Sequence, residues 1–295
     1  MSDRVDRGWQ VRGLEAFPVA AILGTLAHYG VKVSEADFLQ LASEDFPLSI
    51  AEGWHQRWTG KGPFARFPAA AADELWRRLC APRVAPADVA LAVMKLVGGL
   101  QDAVSGKPDD GTLGSRFQVA EAYLPAIPQS PALQRRFLSE LGAALAPFLE
   151  AIDPLAEALA RKGLRPLAER FATLEEALFP VRTGTVFALV QAASGDLQGA
   201  VASLLALAAD AGRSDAAQLA VVDALLELGR LEPAKALALE LLGRAEAALD
   251  LEVAAGVVER LTRLLQLDPT RSDRQAIRAR VEALARALQP GSAGG

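Results

Sequence analysis

The chain has 295 residues, of which 51% are hydrophobic, 23% charged and only 6% aromatic, and its formal net charge is -5. This apolar fraction is large enough for a folded core, so the composition excludes a wholly disordered chain. The apolar residues are mainly Ala, Leu and Val, which favours closely packed helices over large sheet interfaces. The negative charge argues against a general binder of phosphate backbones, and we therefore expect no nucleic-acid partner.

Signals for helix starts recur from one end of the chain to the other. Four residues with a hydroxyl group precede an acidic residue or Gln by three positions, the spacing of a capped helix N-terminus. They are Ser34 with Asp37, Ser49 with Glu52, Thr173 with Glu176, and Ser272 with Gln275. No series of alternating apolar and polar residues bounded by turns indicates β-strands. We therefore predict an all-α fold.

Glycine and proline divide this helical chain at one place. Residues 105–131 contain SGKPDDGTLG at the start and LPAIPQSP at the end, with one short helix predicted between them. We predict an N-terminal helical domain over residues 1–104, a Gly/Pro-rich connection over 105–130 and a helical array over 131–289. The alternative is a long loop inside one continuous array. The last residues, 290–295, read as a flexible tail.

Two segments of the predicted array align at a fixed offset. Residues 195–200 read GDLQGA and residues 229–234 read GRLEPA, so that the Gly, Leu and Ala of the two segments are each 34 residues apart. Gly can end a helix, and Ala allows the next helix to pack closely against the one before it. The second helices would then bury apolar residues at helical spacing. These are Leu197, Ala200, Val201 and Leu204 in the first, and Leu231, Ala234, Leu237 and Leu241 in the second.

A period of 34 residues with this Gly–Leu–Ala pattern resembles the tetratricopeptide repeat. The resemblance covers the chain from about residue 181 to 289 and implies an antiparallel α-solenoid. Residues 257–269 end in LLQLDP and resemble the end of a second helix of such a repeat. The final helix has apolar residues on one side and Arg on much of the other, which resembles a capping helix that closes the array.

The most unusual segment for binding is residues 52–66, which contain two of the four Trp residues together with basic residues and a Gly/Pro loop. Trp54 and Trp58 are four positions apart and would share one face of a helix. We predict a partner-binding site formed by Trp54, Trp58, Phe64 and Arg66, since aromatic and Arg side chains dominate protein-binding hot spots. The alternatives are an aromatic core of the N-terminal domain, or stacking on nucleic acid.

Few residues of the chain can serve a metal, a cofactor or catalysis. There is one cysteine, Cys80, and there are two histidines, His28 and His55, which are too few for a thiolate or imidazole metal site. Lys61 lies between two glycines, but the Ser or Thr that follows the lysine of a phosphate-binding loop is absent. Asp109 and Asp110 read as a solvated turn. We predict no metal, no cofactor and no catalytic residue.

The sequence also predicts where the protein is found. The N-terminal residues are charged and lack the apolar segment of a secretory signal. The best apolar stretch, residues 89–104, is interrupted by Lys95 and Asp102, so we expect no membrane-spanning helix. With a single thiol, the chain is typical of a cytoplasmic protein.

Three functions remain open at this point. We predict a non-catalytic protein–protein interaction protein, such as an adaptor, a chaperone-like factor or a regulated subunit of a larger assembly. The alternative is an all-helical enzyme whose Asp, Glu and Arg residues are scattered along the chain. A helical-repeat nucleic-acid binder would need a basic stripe over several helices, and only the last helix has one. Its basic residues are Arg271, Arg274, Arg278, Arg280 and Arg286.

The predicted array offers a second surface for a protein partner. Its first helices, around residues 186–190 and 218–225, carry mainly small and aliphatic residues. We expect these residues to be exposed on the inner face of the array, where they would suit an apolar helix in a groove better than a charged peptide.

Overall fold

The structure is a computed structural model that describes residues 13–107, 111–248, 250–269 and 272–287. These residues form sixteen α-helices and no β-strand, which confirms the predicted all-α fold. Within the same residues, no helix combines the length and the apolar character that a membrane span requires. The chain divides into two compact units, Met1–Ile152 and Asp153–Gly295. The predicted tail 290–295 and the turn at Asp109 and Asp110 lie outside the described residues.

The first unit is organised around helix α4. Its helices are α1 Val19–His28, α2 Glu35–Glu44, α3 Pro47–His55, α4 Phe67–Leu79, α5 Pro86–Val104, α6 Leu113–Ala122, α7 Pro131–Leu145 and α8 Leu149–Ile152. Helix α4 contacts α1, α2 and α3, and helix α5 contacts α6 and α7. Large aromatic side chains fill the core of the unit and are fully buried. They are Phe38, Phe46, Trp54, Phe67, Trp76, Phe117 and Phe137.

Phe46 holds the two groups of helices in this unit together. It is the residue before α3, and its ring lies 5.4 Å from the ring of Trp76 on α4 and 5.3 Å from that of Phe137 on α7, measured between centroids. The guanidinium of Arg83 lies over the Trp76 ring, 4.5 Å from its centroid. Aromatic pairs at such distances stabilise a fold beyond the area that they bury.

The division of the chain falls later than the sequence predicts. The predicted connection, residues 105–130, contains helix α6, which contacts α5, and helix α7 also contacts α5. These contacts place residues 113–145 in the first unit. They help to cover the apolar residues of α5, which are buried along most of the helix. The boundary therefore lies after Ile152 and not in the Gly/Pro-rich segment.

The second unit is a succession of helices that contact their neighbours in the chain. The helices are α9 Leu155–Arg161, α10 Arg165–Leu178, α11 Thr185–Ala193, α12 Leu197–Ala208, α13 Asp215–Glu227, α14 Leu231–Ala248, α15 Leu251–Leu267 and α16 Arg274–Ala287. Alternate helices also contact one another: α9 with α11, α11 with α13, and α13 with α15. Because α15 contacts α13, residues 257–267 belong to a helix that continues the α9–α11–α13 series. The sequence assigns this segment to a second helix instead.

Three turns of the second unit have the same construction. Gly163, Gly195 and Gly229 have φ angles of 75°, 102° and 67°, a left-handed conformation that Gly adopts readily and that commonly ends a helix. After each glycine, the N–H of the next residue donates to a carbonyl oxygen five residues earlier. The three N–H to O pairs are Leu164 to Leu159 (2.9 Å), Asp196 to Gln191 (3.1 Å) and Arg230 to Leu225 (2.8 Å).

Each turn is followed, five residues after its glycine, by a fully buried alanine. These alanines are Ala168, Ala200 and Ala234, each with 0% of its surface exposed. In the two helices that the sequence aligns, Leu204, Leu237 and Leu241 are also buried as predicted. Leu197 is not, because 38% of its surface is exposed. The Gly–Ala pattern therefore occurs three times in the second unit, and the sequence analysis finds two of the three.

The predicted helix caps have mixed outcomes. Ser34 caps α2 as predicted, with its hydroxyl accepting from the N–H of Asp37 at 3.2 Å and its own N–H donating to the Asp37 carboxylate at 2.9 Å. Ser49 and Thr173 lie inside α3 and α10, so both predicted starts are wrong. Ser272 lies one residue ahead of the capping position of α16.

Candidate interaction surface

The two tryptophans of residues 52–66 have different environments. Helix α3 ends at His55, so the turn of helix that would align Trp54 with Trp58 does not exist. Trp54 is 1% exposed, and its ring centroid lies 6.0 Å from that of Phe38. Trp54 is therefore a core residue, as the alternative interpretation of this segment has it, although it also borders the open groove beside α2.

Trp58 and Phe64 belong to a cluster of three half-buried aromatic rings, which also contains Tyr29. The Tyr29 centroid lies 4.9 Å from that of Trp58 and 5.4 Å from that of Phe64. The indole N–H of Trp58 donates to the Phe64 carbonyl oxygen at 3.1 Å. We call these three residues the aromatic cluster. Its rings offer apolar area to solvent with few rotatable bonds to fix on binding.

Hydrogen bonds to the backbone on one side and a ring contact on the other hold the aromatic cluster in place. Both the N–H and the hydroxyl of Thr59 donate to the Tyr29 carbonyl oxygen, each at 3.0 Å. On its inner side, Trp58 stacks on the buried ring of Phe67, with centroids 5.7 Å apart and ring planes 7° from parallel. A Cβ atom at Gly60 would lie 2.6 Å from Trp58 Nε1, so a larger residue there would displace the ring. These contacts fix the positions of the rings in the unbound protein.

Three basic residues lie in the same segment as Trp58 and Phe64, and the side chains of Arg57, Lys61 and Arg66 are all exposed. Within the part of the chain that the structure describes, none of the three forms an ion pair. Arg57 also lines an open groove beside α2, whose volume is about 340 Å³ and whose walls include Asp37 and Glu44. This concentration of positive charge is notable in a chain whose net charge is -5. It would attract a negatively charged group to the rings.

The structure brings together Trp58, Phe64 and Arg66 of the four predicted binding residues and adds Tyr29. Sequence reasoning misses Tyr29 because it lies about 30 residues before Thr59, to which it is joined only by tertiary hydrogen bonds. In the sequence, only the neighbouring His28 draws attention to this position. Its ring lies 4.8 Å from that of Tyr29, edge to face, at the end of α1.

The second predicted surface, the apolar groove of the array, is wrong. Most of residues 186–190 and 218–225 are buried in the core of the second unit. Helix α13 is apolar on nearly all sides, and such a helix is covered on all sides by its neighbours. Of residues 186–190, only Phe187 is exposed, at 39%. The other exposed large apolar side chains of the second unit lie outside both segments, among them Leu197 and Leu205 on α12 and Leu251 and Leu267 on α15.

Charged groups of the second unit pair mainly with one another. On α16, Arg278 donates to Glu282, four residues later in the chain, at 2.9 Å. Arg274 donates to the Pro269 carbonyl oxygen. Arg271 lies outside the described residues, as do the side chains of the other predicted basic residues of this helix, Arg280 and Arg286. The structure therefore adds no basic stripe to the one helix that the sequence identifies.

Comparison of the chain with models of protein families, with characterised proteins and with solved structures finds no match. The function is therefore inferred from the geometry of this chain alone.

Proposed function

We propose that the chain is a non-catalytic interaction protein whose aromatic cluster binds an acidic segment of a partner protein. The observation that carries the proposal is the packed set of rings of Tyr29, Trp58 and Phe64, together with three exposed basic side chains of the same segment that form no ion pair among the described residues. Trp, Tyr and Arg are the residues that contribute most to protein-binding hot spots. The rings would bury apolar side chains of the partner, while the basic groups would select Asp and Glu around them.

The second unit supports the same kind of function. Its three equivalent turns and the contacts between alternate helices favour a tetratricopeptide-like array. Such arrays are typical of proteins that assemble others, because stacked helix pairs present extended surfaces. We also place the protein in the cytoplasm, since its only cysteine, Cys80, is buried and unpaired.

The experiment is a selection of displayed random peptides against the full chain. We expect the selected peptides to combine Asp or Glu with an aromatic or large aliphatic residue, and to bind less tightly as salt is added. The variant Arg57→Glu/Lys61→Glu/Arg66→Glu should lose at least about tenfold in affinity, which corresponds to about 1.4 kcal/mol.

A matched control separates this surface from the general charge of the protein. Lys95, Arg135 and Lys162 are also exposed and without ion pairs among the described residues, so their triple change to Glu alters the net charge equally. That variant should bind the selected peptides as the wild type does. Equal losses in both variants would contradict the proposal. So would a surface that prefers a single-stranded oligonucleotide to every acidic peptide, since stacked rings and basic groups also bind nucleic acid.

A further inference from the structure

A cavity of about 320 Å³ lies in the first unit, away from the aromatic cluster. Four helices form its walls: α3, α4, α5 and α7. Most of the wall is apolar and comes from residues such as Leu48, Ala69, Pro86 and Ala143. Two carboxyl groups interrupt this apolar surface, those of Asp73 on α4 and Glu140 on α7. Cavities with apolar walls and a few convergent polar groups are the usual form of small-molecule sites.

The Glu140 carboxylate is fixed in the cavity wall. Its residue is only 7% exposed. One oxygen accepts from the N–H of Ser49 at 2.8 Å and from its hydroxyl at 2.6 Å, and the other accepts from the N–H of Leu48 at 3.2 Å. These N–H groups belong to the first turn of α3, where they have no partner inside the helix. The Glu140 carboxyl group therefore has a defined position, with both oxygens oriented by donors of the first turn of α3.

Asp73 is different, because nothing in the described part of the chain bonds to its carboxyl group. The nearby Arg77, on the same helix, is paired with Glu74 at 2.5 Å instead. The pKa of Asp73 is raised to about 6, mainly by burial; Arg77 lowers it in part, and the charges of Asp88 on α5 and Glu140 on α7 also raise it. A half-buried carboxyl group that shares a cavity with a second one, and that no basic side chain of the described residues bonds, is an unfavourable arrangement that a cationic ligand would relieve.

We propose that this cavity binds a small molecule with a protonated primary amine, whose ammonium group lies between Asp73 and Glu140 and whose hydrocarbon part contacts Leu48, Ala69 and Pro86. An ammonium group has three N–H donors and no acceptor, which suits two carboxyl groups as its only polar partners. Calcium and magnesium instead require about six oxygen ligands, and the rest of this wall is apolar. At about 30 Å³ for each displaced water, the volume suits a ligand of roughly ten non-hydrogen atoms.

The test uses three probes of equal chain length, hexylamine, hexanol and hexanoate, with the full protein. We expect hexylamine to bind saturably in calorimetry and to raise the melting temperature, while the alcohol and the carboxylate do neither. Binding should weaken about tenfold between neutral pH and one unit below the pKa of Asp73, since only about a tenth of its carboxyl groups are then ionised.

The variant Asp73→Asn keeps the size of the side chain and removes its charge, so it should stay folded and lose at least about tenfold in hexylamine affinity. The control is Asp88→Asn, which changes a nearby carboxyl group that does not line the cavity. Equal hexylamine binding by wild type and Asp73→Asn would overturn the proposal, as would the absence of any hexylamine binding. A third outcome would also overturn the proposal: Mg²⁺, Ca²⁺ or Zn²⁺ stabilises the protein in a way that depends on Asp73, and hexylamine does not stabilise it. The cavity would then be a metal site.

Discussion

Glu175 on α10 is expected to make the second unit less stable as the pH rises. The residue is 1% exposed, and Nη1 of Arg182 lies 2.5 Å from its Oε1. The same Nη1 lies 2.7 Å from a carboxylate oxygen of Asp153, so one guanidinium nitrogen serves two carboxyl groups. Neither oxygen of Glu175 has a hydrogen bond of good geometry. Burial raises the pKa of Glu175 to about 8, although Arg182 lowers it in part.

The sign of the effect follows from the two states of the chain. In the unfolded chain the Glu175 carboxyl group has its ordinary pKa of 4.5, and in the folded chain its pKa is about 8. Between these two pH values the folded protein retains a proton that the unfolded chain has released, so the free energy of unfolding falls as the pH rises. The slope reaches about 1.4 kcal/mol per pH unit. From about pH 6 to about pH 8, Glu175 therefore removes about 2 kcal/mol.

The assay is urea unfolding of the wild type and of Glu175→Gln near pH 6 and pH 8, followed by far-UV circular dichroism. The glutamine cannot ionise, so the variant should lose about 2 kcal/mol less than the wild type over this interval. The sequence has no tryptophan after residue 152, and the three that the structure describes, Trp54, Trp58 and Trp76, lie in the first unit. Their fluorescence therefore follows that unit separately. Glu169→Gln is the control, because it changes an exposed ion pair on the same helix. An equal loss of stability in wild type and Glu175→Gln would refute the reasoning and show that Glu175 is ionised in the folded state.

Two further changes test the packing of each unit. Ala200→Trp should lower the free energy of unfolding by about 1–3 kcal/mol or more, because Ala200 is fully buried and the indole overpacks the contact; Ala202→Trp, on the exposed side of the same helix, should melt as the wild type does. Trp54→Ala should cost about 3–5 kcal/mol in urea unfolding because it empties a core position. Phe64→Ala, in the half-buried aromatic cluster, should cost clearly less, and equal losses would place Phe64 in the core as well.

The helical class could be predicted from the sequence because helix formation depends mainly on local signals. The prediction of a single helix start failed where a residue distant in sequence provides the cap. The Ser34–Asp37 cap forms as predicted, since both of its groups lie within one turn. Ser49 has the same kind of spacing to Glu52, but its hydroxyl donates to Glu140, which lies 91 residues away. The N-terminus of α3 is therefore capped by another helix, and α3 begins before the serine.

The candidate surface was predictable only where its residues are close in sequence. Phe64 and Arg66 lie near Trp58 in the chain, and the structure keeps them together. Trp54 was misplaced because the prediction extends α3 past His55, where the helix ends. The cavity of Asp73 and Glu140 has no sequence signal at all, since its walls come from four helices and its two carboxyl groups meet only after folding.

The turn at Gly163 shows how a fixed period hides part of an array. Gly163 lies 32 residues before Gly195, whereas Gly195 and Gly229 are 34 residues apart. Helix α9, which precedes Gly163, has only 7 residues, while α13, which precedes Gly229, has 13. Each of these three helix pairs has a left-handed glycine that ends the first helix and a buried alanine near the start of the second. Such a pair does not need helices of one length. The spacing from glycine to buried alanine is five residues in all three turns. This spacing identifies the turn at Gly163, which a search for repeats of equal length does not find.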